Sequence, residues 1–187
     1  SFDAEVEIVP YLDGCVRNED SNYDENFWQQ LDGDAGQETA FVTMRTKENP
    51  FGTPRFTVAA AFAAETAMVF QNAEHHECYA AQHWHMKVMA GREAALCKMV
   101  SVYTDRDIKA ENVKEAARQH ARTLLSLGYK EALLQHEKAW REKWAACDVV
   151  IEGDDEAQQG IRFNLFHLLS TYTGEDARLN IGPKGFT

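Results

Sequence analysis

The chain has little that would carry it to a membrane or a nucleic acid. Nowhere in its 187 residues is there an apolar run of the roughly 20 residues that a membrane-spanning helix needs. Ser1-Phe2-Asp3 carry neither the basic nor the apolar region of a secretory signal. Basic residues are scarce: 19 Lys and Arg face 30 Asp and Glu, a formal charge of −11. Residues 1–50 hold 12 of the acidic residues and only 3 basic ones. Such a surface repels phosphate backbones and anionic bilayers, so neither nucleic acid nor membrane is an expected partner. The four cysteines, Cys15, Cys78, Cys97 and Cys147, form no Cys-x-x-Cys pair and are expected to be reduced core thiols of a cytoplasmic protein. No GxSxG, P-loop or HExxH pattern occurs, which removes the common hydrolase, nucleotide and zinc-protease signatures. Internal repeats, low-complexity tracts and long flexible linkers are also missing.

What is present begins with strands. Ala4, Val6 and Ile8 alternate with Glu5 and Glu7, which predicts a strand over residues 3–12. Residues 39–46, 55–64, 78–90 and 93–103 also read as extended. Within them His83, His85 and Lys87 alternate with Trp84, Met86 and Val88, the period of a half-buried strand. Asp32-Gly33-Asp34, Asn49-Pro50-Phe51-Gly52 and Ala90-Gly91 supply turn signals between these runs. Short strands joined this way predict an antiparallel sandwich.

After about Thr104 the periodicity becomes helical. Val113, Ala116, Ala117, His120, Leu124 and Leu127 share a face over residues 110–127, and Gly128 suits the position past a helix end. Residues 130–146 predict a second helix, with Leu133, Glu137, Trp140 and Trp144 along one side. A third runs from about Asp155 to Tyr172, with Asp155 and Gln158 as a capping box. Ile161, Leu165, Leu168 and Tyr172 form one face of it, and Phe163, Phe166 and Leu169 make the rest nearly as apolar. A helix apolar most of the way round is expected to be buried. Strands first and helices second argue for separate layers or domains, not a wound α/β fold.

Four clusters carry chemistry worth weighing. Glu74-His75-His76-Glu77-Cys78, with His83 and His85, has metal-ligand residue types, but neighbours on a strand point to opposite faces and the spacing matches no ligand pattern. The expectation is a solvated loop and strand face and no metal. Asn18–Glu25 is acidic but lacks the Gly and the terminal Glu of a calcium loop, and Tyr23, Phe27 and Trp28 are expected to pin it. Glu175 and Asp176 are adjacent and near Arg178, which suits a local salt bridge better than a catalytic pair. In Asn180-Ile181-Gly182-Pro183-Lys184-Gly185, two glycines and a proline fix a tight path beside one ammonium, a loop type able to hold an oxyanion. Asn180, Gly182, Lys184 and Gly185 are therefore the candidate substrate-binding residues.

Three stretches together resemble the disaccharide phosphorylases of glycoside hydrolase family sixty-five: Tyr11-Leu12-Asp13-Gly14, Asn18–Trp28, and Gln158–His167 with Arg178–Thr187. The resemblance implies a β-then-α fold: a partial antiparallel β-sandwich over 1–103, linker helices over 104–153, and the first helix of an (α/α)6 barrel over 154–187. It implies an inverting phosphorylase in which phosphate attacks the sugar carbon and one Glu protonates the glycosidic oxygen. Maltose is the implied disaccharide, with trehalose or kojibiose as the alternatives, and no metal or organic cofactor is implied; inorganic phosphate is a co-substrate. A homodimer is implied too. The family's Trp-Asp-Thr-Glu motif, general-acid Glu and phosphate ligands are expected beyond Thr187, so the chain is expected to be an inactive fragment. The competing class is a stand-alone carbohydrate-binding sandwich, with Tyr23, Phe27, Trp28 and Trp84 as its aromatic candidates.

Overall fold

A computed structural model describes residues 2–16, 26–171, 174 and 176. The chain divides into two compact units, residues 1–132 and residues 133–187. Among the described residues the first holds eight antiparallel strands in two sheets. One sheet is β3 (Trp28–Ala35), β4 (Ala40–Thr46), β5 (Thr57–Thr66) and β8 (Leu96–Thr104), side by side in that order. In the other, β7 (Tyr79–Val88) lies between β6 (Val69–His76) on one side and β1 (Ala4–Ile8) with β2 (Tyr11–Asp13) on the other.

The composition of β5 explains the layering. Its alanines on both faces let two neighbours approach closely. Ala59, Ala61 and Ala63 meet Val113, Ala117 and Ala121 of α1 (Val113–Leu127), with Phe41 beside them. On the opposite face Phe62 and Ala64 join Ala40, Val42 and, from the second sheet, Ala80. The unit is thus helix on sheet on sheet. Gly128 ends α1 at φ +82°, and its N–H reaches Leu124 O and Leu125 O at 3.2 and 3.1 Å. A side chain at that φ would be strained, which is why a glycine stands there.

Three details differ from the sequence expectations. The strand expected over 3–12 is two strands broken at Val9-Pro10, both pairing with β7; proline cannot donate to the ladder. Asp32-Gly33-Asp34 is not a turn but the middle of β3, where a register shift between Gln30 and Asp32 marks a bulge. Asp32 is held there by Lys114 at 2.9 Å, a partner 82 residues away that no local pattern could show. β6 is a full strand that lies outside the extended runs expected from the sequence.

The second unit holds most of α2 (Tyr129–Cys147) and α3 (Asp155–Thr171). Asp154, not Asp155, caps α3: its Oδ1 accepts the Ala157 N–H at 2.9 Å. Gln158 turns back to the link before the helix, accepting Ile151 N–H at 2.8 Å and donating to Val149 O at 2.9 Å. Arg162 forks onto Asp148 at 2.9 and 2.7 Å. The apolar third helix is not enclosed by the helices present: no described residue of α3 is buried and Phe163 is 62% exposed. One facing helix covers one side only.

Candidate functional site

The loop singled out in the sequence, with Asn180, Gly182, Lys184 and Gly185, lies outside the described residues, as do Tyr23, Glu175 and Arg178. Among the other aromatic candidates, Trp84 is unavailable to a ligand. It is 6% exposed, edge-on to Phe70 at 5.2 Å, and its indole N–H is spent on Gln82 Oε1 at 3.2 Å. Trp28 is half-buried, its ring 6.5 Å from Phe56, while Phe27 is exposed. The described aromatics therefore do not make the sugar platform that a stand-alone binding sandwich would need.

The larger described cleft is in the second unit. It encloses about 480 Å³ between His136, Glu137, Trp140, Arg141, Trp144 and Phe166. Trp140 stacks on Phe166 at 5.0 Å and leans on Trp144 at 6.2 Å. Steps of four along α2 put Trp140 and Trp144 on one side, as their spacing predicts. Glu137 and Arg141 flank them, 3.9 Å apart. Flat apolar faces beside a charged pair make a binding or packing surface. Among the described lining residues Glu137 is the one carboxylate, so no carboxylate pair converges there.

The first unit has a smaller cleft of about 160 Å³ where β2 ends against the inner face of β4 and β5. Leu12, Val42, Met44, Val58 and Ala60 make it apolar, and Asp13, Gly14, Val16 and Trp28 complete its lining.

At the histidine-rich corner an amide from β3 orders one imidazole. Cys78 N–H donates to Gln30 Oε1 at 2.7 Å, which orients the amide so that Gln30 Nε2–H donates to His75 Nε2 at 2.9 Å. Gly33 makes room for this: a Cβ there would sit 2.5 Å from both nitrogens. Among the described residues no group of three or more His, Cys, Asp or Glu is placed to hold a metal ion.

His83 lies between two carboxylates. Its Nδ1 is 2.8 Å from Glu7 and its Nε2 3.5 Å from Glu74. The hydrogen bond to Glu7 is the main cause that raises its pKa above the usual 6.5; burial opposes this, and Glu74 adds to it. A raised folded-state pKa stabilises fully below the unfolded value and is lost as pH rises through the folded value. Unfolding free energy is therefore expected to fall above about pH 6.5. His83→Gln should flatten that segment, as urea titrations at about pH 5.5 and about pH 8.5 would show.

The fold agrees with what the chain is related to. A model of the glycosyl hydrolase family 65 N-terminal domain matches residues 1–143, and the chain belongs to that family. It is 47% identical over 186 residues to maltose phosphorylase of Bacillus subtilis (strain 168), covering 99% of this chain and 24% of that protein. It is 36% identical over 88 residues to a kojibiose phosphorylase of Caldanaerobacter subterraneus subsp. tengcongensis, covering 47% of this chain and 11% of that one. A solved human-microbiome protein provisionally named a kojibiose phosphorylase has the same fold. Its TM-score is 0.84 at 18% identity, over 98% of this chain and 23% of that one. The chain thus spans about a quarter of the length of the maltose phosphorylase it matches.

Proposed function

We propose that residues 1–187 are part of an inverting disaccharide phosphorylase of the glycosyltransferase type. It would convert maltose and inorganic phosphate to β-glucose 1-phosphate and glucose. The observation that carries this is the 47% identity to a maltose phosphorylase along almost the whole chain. The kojibiose phosphorylase match covers half as much of the chain at lower identity, which ranks kojibiose and trehalose behind maltose as substrates. In this reading residues 1–103 are the last part of the N-terminal sandwich, 104–153 the linker helices, and 154–187 the start of an (α/α)6 barrel. The exposed apolar side chains of α3 support the last assignment, because a barrel would cover them. No cofactor is needed, since phosphate is the nucleophile and a Glu outside residues 1–187 the acid. The whole enzyme would be a cytoplasmic homodimer.

Phosphate consumption by the full-length protein, measured against a panel of glucosyl disaccharides, tests the reaction and the sugar together. Maltose is expected to be used fastest and residues 1–187 alone to be inactive. Turnover of none of these sugars, or of maltose by the isolated chain, would overturn the reading.

The rim of the barrel is where the Asn180–Gly185 loop would lie, with Gly182 and Gly185 allowing close backbone approach. Lys184 then braces neighbouring active-site loops or faces phosphate. Lys184→Ala in the full-length enzyme is expected to lower turnover and raise both Michaelis constants if it braces. If it faces phosphate, the phosphate constant alone rises, by about 10-fold or more for a charged contact. Unchanged kinetics would leave the loop without a role.

A further inference from the structure

Cys15 and Cys78 are far apart in sequence but meet at one corner of the sandwich. The β2–β7 ladder ends on the pair Asp13–Tyr79, and the next bond beyond it is Gly14 N–H to Cys78 O at 2.7 Å. Cys15 follows directly, turned by its own N–H onto Asp13 Oδ1 at 2.8 Å. Cys78 sits in the two-residue turn between β6 and β7 at φ +61°, an unusual value for a residue with a Cβ. That turn is held from both sides, by Gly14 and by Gln30. Cys15 thus follows the residue bonded to Cys78, and its thiol is near enough to help push the Cys78 pKa up. Cys15 is exposed and Cys78 is 2% exposed.

We infer that Cys15 and Cys78 form an oxidation site in which a peroxide attacks the exposed thiol and the buried one resolves it as a disulfide. Cys15 thiolate displaces hydroxide from hydrogen peroxide and becomes the sulfenic acid. Cys78 sulfur then attacks the Cys15 sulfur, losing its proton as the S–O bond breaks and water leaves. Each disulfide consumes one peroxide, and two thiols are oxidised by two electrons. The division of roles follows from position. Burial, then the neighbouring Cys15 thiol, then the charges of Glu77 and Asp13 push the Cys78 thiol up to about 12, so it stays protonated at neutral pH and cannot be the first to react. The exposed partner meets the oxidant, and the second cysteine is held beside it by the Gly14–Cys78 backbone bond, which favours the disulfide over further oxidation. The bond would tie the end of β2 to the β6–β7 turn and fix Asp13 and Gly14 in the lining of the 160 Å³ cleft.

The inference is independent of the proposed reaction and is tested on the 187-residue chain. The protein is treated with hydrogen peroxide at neutral pH, alkylated, and digested without reductant. A peptide joining Cys15 to Cys78, with a loss of about 2 Da per chain, is expected. The midpoint of thermal unfolding should rise by about 5–10 °C and return on adding dithiothreitol. Cys15→Ser should abolish the linked peptide and the thermal shift, while Cys97→Ser and Cys147→Ser should leave both unchanged. Conversion of Cys15 to sulfinic or sulfonic acid without a link to Cys78 would overturn the inference. So would a disulfide confined to other cysteines, or no reaction at all.

Discussion

Replacing Phe62 with alanine is expected to cost the first unit about 3–5 kcal/mol, the upper range for a core aromatic. Phe62 has no solvent exposure and lies between the two sheets among Ala40, Val42, Ala64 and Ala80. The cost of such a substitution depends on how far the surroundings can collapse into the hole. Alanines have no side-chain torsions with which to fill it, so collapse is poor here. A second loss adds to the first. Lys98 Nζ stands 4.8 Å from the Phe62 ring centre and donates to Tyr11 O at 2.7 Å, and burial already lowers its pKa. Removing the ring takes away the π face that compensates this partly buried ammonium. Urea unfolding followed by tryptophan fluorescence checks the value: the midpoint should drop sharply at unchanged slope. Phe62→Leu, which keeps most of the volume, should lose much less. Equal losses in the two variants would show that the hole is not the cause.

Gln82→Leu is expected to destabilise by roughly 2–4 kcal/mol although it adds apolar surface. Gln82 is fully buried on the inner side of β7. Its amide donates to Gly36 O at 2.6 Å and Gln37 O at 3.0 Å, and its carbonyl accepts the Trp84 indole N–H at 3.2 Å. It therefore pins the β3–β4 turn of one sheet to the centre of the other. Leucine keeps the volume but strands a buried indole N–H, and an unmet buried donor costs about 1–3 kcal/mol by itself. A double-mutant cycle separates that part. In a Trp84→Phe background, which has no indole N–H to strand, Gln82→Leu should cost about 1 kcal/mol less or better. Identical costs in both backgrounds would assign the whole effect to the two turn carbonyls.

How far the sequence carried can be judged on particular elements. β4, β5, β7 and β8 were legible as extended runs between turn signals, with the period of two plain in β7, although β5 buries both of its faces. The 3.6-residue repeat gave α1 with its inward Val113 and Ala117, though not Ala121, which is buried beside them. Gly128 marked where it stops. β3 and β6 were not legible. Asp32-Gly33-Asp34 has the composition of a turn, and what makes it a strand is a bulge plus the ammonium of Lys114 from α1. The site was less legible than the fold. The Trp140 and Trp144 spacing marked a helix side, but Phe166 of α3 completes the cleft and comes from a different helix. Trp84 looked like an available aromatic until β6 and Gln82 enclosed it.

The sequence by itself determined the order of strands before helices, the acidic balance, and the family, because each is written in local composition, period or long motifs. Tertiary structure alone decided which residues meet: Cys15 with Cys78, His83 with Glu7 and Glu74, and Phe62 with the alanines of two sheets. Those contacts join residues tens of positions apart, and their geometry follows from sheet register and strand order. A one-residue change of register would turn every side chain to the other face, and no local pattern reports which register wins.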